Sequence, residues 1–311
     1  MVVLLRPVEP YGRVPSCQCG KPDLVTQLLL PRACVTRLVR SAREDLGDTR
    51  ERERTVSTRR SLQLIGIGPG GIDHVTVEAI QAIATIDVFV VVDKGEHAAE
   101  PAAVRTALLD RYASARHRVV TVEDPKRAAA GTYTDTVAAW HSDRSMRLER
   151  SLGTEIGEAE RAAILVWGDP SFYDSTIRLV EQINGRGEMV VDITVIAGVS
   201  SVQLLAARHR IVLNRIGRPL LVTTGRHLSE HGFPEGVDDV VVMLDGDVSF
   251  RRFVDHDMDI YWAAYLGMDG ELLVAGRLPD VAGQIIELRS SARHRRGWIF
   301  DIYLLRRNAG H

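Results

Sequence analysis

Leu64-Ile65-Gly66-Ile67-Gly68-Pro69-Gly70-Gly71 and Leu165-Val166-Trp167-Gly168-Asp169-Pro170 stand about a hundred residues apart. In each, an apolar run ends abruptly in residues that turn the backbone and leave it bare. Ligands of open α/β sheets sit beyond the carboxyl ends of strands, at loops of this kind. The first loop superficially matches a dinucleotide fingerprint through Gly66, Gly68 and Gly71. Such a fingerprint needs a helix starting within it, so that the helix N-terminus faces a pyrophosphate. Here the nearest helical start is Thr76, and Pro69 removes an N–H that a phosphate cradle would use. Asp87 and Asp93 fall roughly where a ribose-binding acid would lie, but a lone acid at that distance is easily found by chance. The loop is therefore expected to approach a ligand without phosphates.

Working outward, continuous apolar runs alternate with helical patterns. Strands are expected over 62–67, 87–92, 118–122, 162–167 and 190–196. Helices are expected over 77–86 (with Thr76 as N-cap), 102–112, 133–152, 175–183 and 200–209. Unbroken apolar strands between helices indicate a parallel sheet covered on both faces. After residue 214 the character changes to strands over 220–224, 240–244, 260–266, 272–275 and 298–305, with only short helices between. This reading gives an α/β domain over 61–214 and a smaller α+β domain over 215–311, with a ligand cleft between them.

Residues 1–60 read differently. They are arginine-rich, and Arg50-Glu51-Arg52-Glu53-Arg54 alternates charge with no apolar face, so a disordered basic extension is expected. Cys17, Cys19 and Cys34 all lie there, at a spacing that matches no common zinc pattern, and no metal site is expected. The 311 residues are 45% hydrophobic and 26% charged with a net charge of −2, which is ordinary for a globular protein and points to neither nucleic acid nor membrane. The short Leu28-Leu29-Leu30 run, followed by Pro31 and arginines, makes no secretory signal, and a cytoplasmic location is expected.

Three ordered motifs carry a family resemblance: Gly66-Ile67-Gly68-Pro69-Gly70 before a Thr-started helix, Gly168-Asp169-Pro170-Ser171-Phe172-Tyr173, and Ala197-Gly198-Val199-Ser200-Ser201. With them the chain resembles the tetrapyrrole (cobalamin and siroheme) methyltransferases from about residue 62 to 305. The resemblance implies the two-domain tetrapyrrole methylase fold, with a parallel-sheet N-terminal domain and a mixed-sheet C-terminal domain. It also implies S-adenosylmethionine as methyl donor, bound in the interdomain cleft, and a homodimer. Within the family the chain is most similar to members that methylate C-1 of precorrin-5 with release of acetate, in aerobic cobalamin synthesis. Val92-Asp93-Lys94-Gly95, Leu213-Asn214-Arg215-Ile216-Gly217, Thr223-Thr224-Gly225-Arg226 and Val242-Met243-Leu244-Asp245-Gly246-Asp247 carry that similarity. Gly71 and Ala197 depart from the family pattern, which commonly has an acid and a proline there.

The resemblance assigns the cofactor site to Pro69, Trp167, Gly168, Asp169, Phe172, Ser200 and Ser201, with Met243, Leu244 and Ala275 from the second domain. Read alone, Gly168-Asp169-Pro170 is more readily an ordinary strand-ending turn with Asp169 capping a helix. Loss of an acetyl group calls for water and a general base. Asp93 at the end of the second strand is the candidate, and His74 a weaker one. A substrate rich in carboxylates calls for cations and room, for which Gly68, Gly70, Lys94, Arg215 and Arg226 are the candidates, with Arg218 nearby. Methylation of another tetrapyrrole position, a nicotinamide oxidoreductase and a corrinoid-binding protein without activity stay open.

Overall fold

The computed structural model describes residues 58–93, 99–125 and 133–308. The first half builds β1 (Thr58–Gly66), α1 (Val77–Ile83), β2 (Val88–Asp93), α2 (Ala99–Tyr112), β3 (Arg118–Glu123), α3 (Tyr133–Glu155), β4 (Ala162–Val166), α4 (Thr176–Arg186), β5 (Met189–Ile196) and α5 (Ser201–His209). The five strands form a parallel sheet in the order β3-β2-β4-β1-β5. Both faces are covered, as unbroken apolar strands require. Leu62, Leu64, Val90 and Ile164 meet Leu148 and Leu152 of α3 and Leu179 and Ile183 of α4. On the other face Ile65, Phe89 and Leu165 meet Ala79 and Ile83 of α1 and Leu108 of α2. Thr76 caps α1 by accepting from the Ala79 N–H at 3.1 Å.

The second half builds β6 (Leu220–Thr224), α6 (Gly225–His231), β7 (Asp239–Met243), β8 (Met258–Ala264), β9 (Leu272–Arg277), α7 (Leu278–Arg296) and β10 (Asp301–Arg307). Its sheet runs β6-β7-β10-β8-β9, parallel between β6 and β7 and antiparallel elsewhere. One face, through Val240, Ile260, Trp262 and Tyr303, packs on Phe250, Phe253 and the inward residues of α7.

Two expectations change. The second half contains α7, a helix of 19 residues, where only short helices were expected, and the strand placed over 298–305 starts at Asp301. The buried side of α5, Val202, Leu204 and Leu205, joins Val241, Ala263, Ile302 and Leu304 of the second sheet. Of the extension expected over 1–60, residues 1–57, with the cysteines, lie outside the described residues, while 58–60 belong to β1. Among the described residues no helix is long and apolar enough to cross a membrane, and no cluster of His, Cys, Asp and Glu suits a metal ion.

Candidate active site

Strand order brings the two glycine loops side by side, because β4 is the hydrogen-bonded neighbour of β1 and Gly66 pairs with Val166. Beyond the strand ends the loops continue to bond: Gly68 donates to the Gly168 carbonyl at 3.1 Å and Gly168 to the Gly68 carbonyl at 2.8 Å. The third motif follows β5, the other neighbour of β1. There is no space between the three. A Cβ on Gly66 would lie 2.5 Å from the Gly198 nitrogen, and one on Gly198 would lie 2.1 Å from the Gly168 carbonyl oxygen. With the Gly68 N–H spent and Pro69 lacking one, the first loop is no anion cradle.

Asp169 locks this crossing. One carboxylate oxygen accepts from the Gly198 N–H at 2.8 Å, and the other accepts from the Ser171 N–H, also at 2.8 Å, and from the Ser171 hydroxyl. Burial works to raise this carboxyl, but those hydrogen bonds outweigh it and hold it below the ordinary carboxylate value. Beside it Gly168 has φ +70° and nothing within 4 Å of where a Cβ would stand, so the backbone is bare on that side.

The same loops meet the second sheet. Phe172 and Met243 pack against one cluster, that of α5 and the inner sheet face. The Tyr173 hydroxyl donates to the Val222 carbonyl at 3.3 Å. Leu244, just past β7, is left-handed with φ 53° and 61% exposed. Immediately behind it the buried Asp245 carboxylate accepts from the Ser249 N–H at 2.7 Å, the Ser249 hydroxyl at 2.9 Å and the Tyr303 hydroxyl at 2.7 Å. Arg289 donates to the Asp245 carbonyl and pairs with buried Asp301 at 2.9 Å. An exposed apolar residue is thus held in strained backbone by a buried polar network.

The sequence-derived candidates divide. Pro69, Gly68 and Gly70 are buried. The notch at Gly70 is filled by Met268 and faces the Leu266 carbonyl, so it makes room for the second half of the chain, where room for substrate was expected. Ser200 is buried and caps α5 in a capping box with Gln203, so its hydroxyl is occupied, while Ser201 opens the helix. Ala275 lies on edge strand β9, three strands and about 14 Å from β7. It does not border Met243 and Leu244. Arg215 reaches Asp239 at 3.8 Å and the Arg307 carbonyl, and Arg218 pairs with Asp238 at 2.7 Å. Asp239 begins β7 and Met243 ends it, so both arginines sit at the far end of the second sheet. Arg226, at the start of α6, follows Thr224, which pairs with Met243, and is brought to the near end. Asp93 ends β2, exposed and in register with Glu123. Lys94 lies outside the described residues.

Two groups were not singled out from sequence, the Asp245 network and Phe300, and His74, the weaker candidate base, is a wedge between loops. The His74 ring lies under Gly71 and Gly267, close to where either would carry a Cβ, and its Nδ1 is buried without a partner. Burial lowers its pKa, aided by Arg208 and opposed by Glu271 and Asp73. The unfolded chain therefore takes up this proton first, and stability is complete above 6.5 and declines as pH falls toward the lower folded value. His74→Asn is expected to flatten the fall of Tm between neutrality and about pH 5. His141 and His209, lowered by burial as well, contribute to the slope in the same direction.

The model of the Tetrapyrrole (Corrin/Porphyrin) Methylases matches residues 61–282. A precorrin-6A synthase [deacetylating] from Sinorhizobium sp is 44% identical over 252 residues, covering 80% of this chain and 96% of that protein. The crystal structure of a cobalamin synthesis related protein (CobF) from Corynebacterium diphtheriae superposes with a TM-score of 0.67 at 32% identity, over 80% of this chain and 98% of that one. A uroporphyrin-III-C-methyltransferase from Thermus thermophilus shares the fold at a TM-score of 0.52 and 20% identity, over 80% of this chain and 92% of that one. With three ordered glycine loops meeting at adjacent strand ends and a family match over most of its length, the chain belongs to the tetrapyrrole (corrin/porphyrin) methylases and is a methyltransferase.

Proposed function

We propose that this enzyme methylates C-1 of precorrin-5 with release of acetate, yielding precorrin-6A, with S-adenosylmethionine as methyl donor. The observation that carries this reading is the 44% identity to a precorrin-6A synthase [deacetylating] across nearly all of that protein. When bound, S-adenosylmethionine supplies an electrophilic methyl group on a sulfonium. The residues present fit it: a bare backbone position at Gly168, an exposed apolar Leu244 and no anion cradle, for a ligand that has no phosphate.

In this reading Trp167, Gly168 and Phe172 form one wall and Met243 and Leu244 the other. Pro69, Ser200, Ser201 and Asp169 act from behind, by fixing the loops. Holding two reactants in line while excluding water supplies most of the rate in a displacement of this kind. Acetate release needs a water whose oxygen bonds to the acetyl carbonyl carbon as the bond to C-1 breaks. Asp93, exposed at the end of β2, accepts that water's proton. Arg226 and Lys94 receive substrate carboxylates. The family resemblance further suggests a cytoplasmic homodimer, which a monomeric mass in light scattering would overturn.

The experiment is turnover of precorrin-5 with methyl-labelled S-adenosylmethionine, followed by mass spectrometry and acetate assay. The expected product gains one labelled methyl and lacks the acetyl unit, with equimolar acetate. A methylated product that keeps its acetyl group would move the reaction to another position and refute this assignment.

A further inference from the structure

Trp167, at the exit of β4, faces Phe300, the residue before β10, with ring centroids 6.0 Å apart and planes at 37°. Phe300 also meets Trp298 edge-to-face at 4.5 Å, and Trp298 meets buried Tyr265 edge-to-face at 5.1 Å. A single exposed phenylalanine needs no explanation. Phe300, 46% exposed, is instead the outer ring of an aromatic cluster joining the two sheets at the ends that carry Gly168 and Met243. Arg105 of α2 lies on the same sheet face as Trp167, and its Nε donates to the Leu165 carbonyl at 3.2 Å, two residues before Trp167. That is its one hydrogen bond among the described residues; no carboxylate pairs with it directly, and Asp174 acts on it only through space. Burial pushes this guanidinium down, so the cation is partly desolvated, and its two terminal nitrogens make no hydrogen bond to a described residue. A half-buried arginine with spare donors beside a partly exposed ring pair suits a flat ligand with acidic substituents.

We propose that Trp167, Phe300 and Arg105 form a ledge for the tetrapyrrole substrate, the rings against the macrocycle and the guanidinium on a peripheral carboxylate. This rests on the function proposed above and adds residues that the family motifs did not supply.

The test is fluorescence titration of the protein with uroporphyrin III, a flat tetrapyrrole bearing carboxylates, which needs no turnover. S-adenosylhomocysteine binding to each variant is measured in parallel. Phe300→Ala and Arg105→Gln are each expected to weaken porphyrin binding by about tenfold, the ratio matching one lost stacking or charge-assisted contact. Arg105→Gln should also reduce the salt dependence, Arg105→Lys should restore part of the affinity, and S-adenosylhomocysteine affinity should stay unchanged. Phe300→Leu, which keeps the apolar volume, guards against a folding defect and should weaken binding less than Phe300→Ala. Wild-type porphyrin affinity in both Phe300→Ala and Arg105→Gln overturns the ledge, as does a parallel loss of S-adenosylhomocysteine binding. An enzyme inert on precorrin-5 that still holds porphyrin through these residues refutes the function and keeps the ledge. Normal turnover with an unchanged KM for precorrin-5 in the variants does the reverse.

Discussion

Gly198→Ala is expected to destabilise the protein by about 3 kcal/mol or more, at the upper end for overpacking. The new methyl carbon would stand 2.1 Å from the Gly168 carbonyl oxygen and 2.9 Å from the Gly66 backbone. Both obstacles are main chain, Gly66 in β1 and Gly168 in the loop bridged to Gly68, so no rotamer change relieves the clash. The only relief is for the third loop to move away, which breaks the 2.8 Å bond from the Gly198 N–H to Asp169. Thermal unfolding should show Tm lowered by about 6–12 °C, at the slope typical of chains near this size. Whatever protein stays folded at low temperature should lose about a hundredfold in kcat/KM, because the third loop moves by an ångström or more and Asp169 loses the bond that fixes the Gly168 loop. Wild-type Tm together with wild-type kinetics would show that the loops are not interlocked in this way.

Breaking the buried ion pair under the second wall should be equally costly. Arg289→Met leaves the Asp301 carboxylate and the Asp245 carbonyl without their guanidinium, and loss of one partner of a buried pair costs about 3–5 kcal/mol. Asp301 is already raised above its ordinary value by burial, against the pull of Arg289 and of the Trp262 indole N–H. For a carboxyl raised on folding, the unfolded chain ionises first, so stability falls as pH rises from the ordinary carboxylate value toward the folded one. Removing Arg289 raises the folded value further, and the variant's deficit should therefore grow with pH. Arg289→Met combined with Asp301→Leu should recover much of the loss, leaving chiefly the Trp262 indole N–H unpaired. Denaturant unfolding at two pH values checks each point. A deficit below about 1 kcal/mol for Arg289→Met would mean that water replaces the pair. The same substitution should weaken S-adenosylhomocysteine binding, since the Asp245 carbonyl follows Leu244 directly.

Much of the first half was legible in the sequence. Its strands are short, unbroken apolar runs bounded by glycine or charge, and burial on both faces needs no more than that local pattern. The helix α7 was not legible. Its buried positions, Leu278, Ala282, Ile285, Arg289 and Ala292, recur at spacings of four and three, as on a helix face. Two of these are alanines and one is an arginine, so the stripe is faint in any hydrophobicity reading. Arg289 is buried only because Asp301 and the Asp245 carbonyl, both remote in sequence, meet it. Phe300 was absorbed into a strand expected over 298–305, although Gly297, the left-handed cap of α7, marks the true break.

By itself the sequence determined that a parallel sheet would form and that three bare loops would follow its first, fourth and fifth strands. It also argued against a phosphate cradle, because Pro69 has no N–H to give. Only the tertiary structure decided what those loops touch. Strand order sets Gly66, Gly168 and Gly198 against one another, whereas Gly70 receives Met268 in place of a ligand. The direction of β7 sends Arg215 to the far end of its sheet while Arg226 comes to the near end, and strand order leaves Ala275 at the opposite edge. The physical reason is that side-chain period and turn chemistry are local, while neighbourhood between strands is set by long-range pairing that no short window of residues contains.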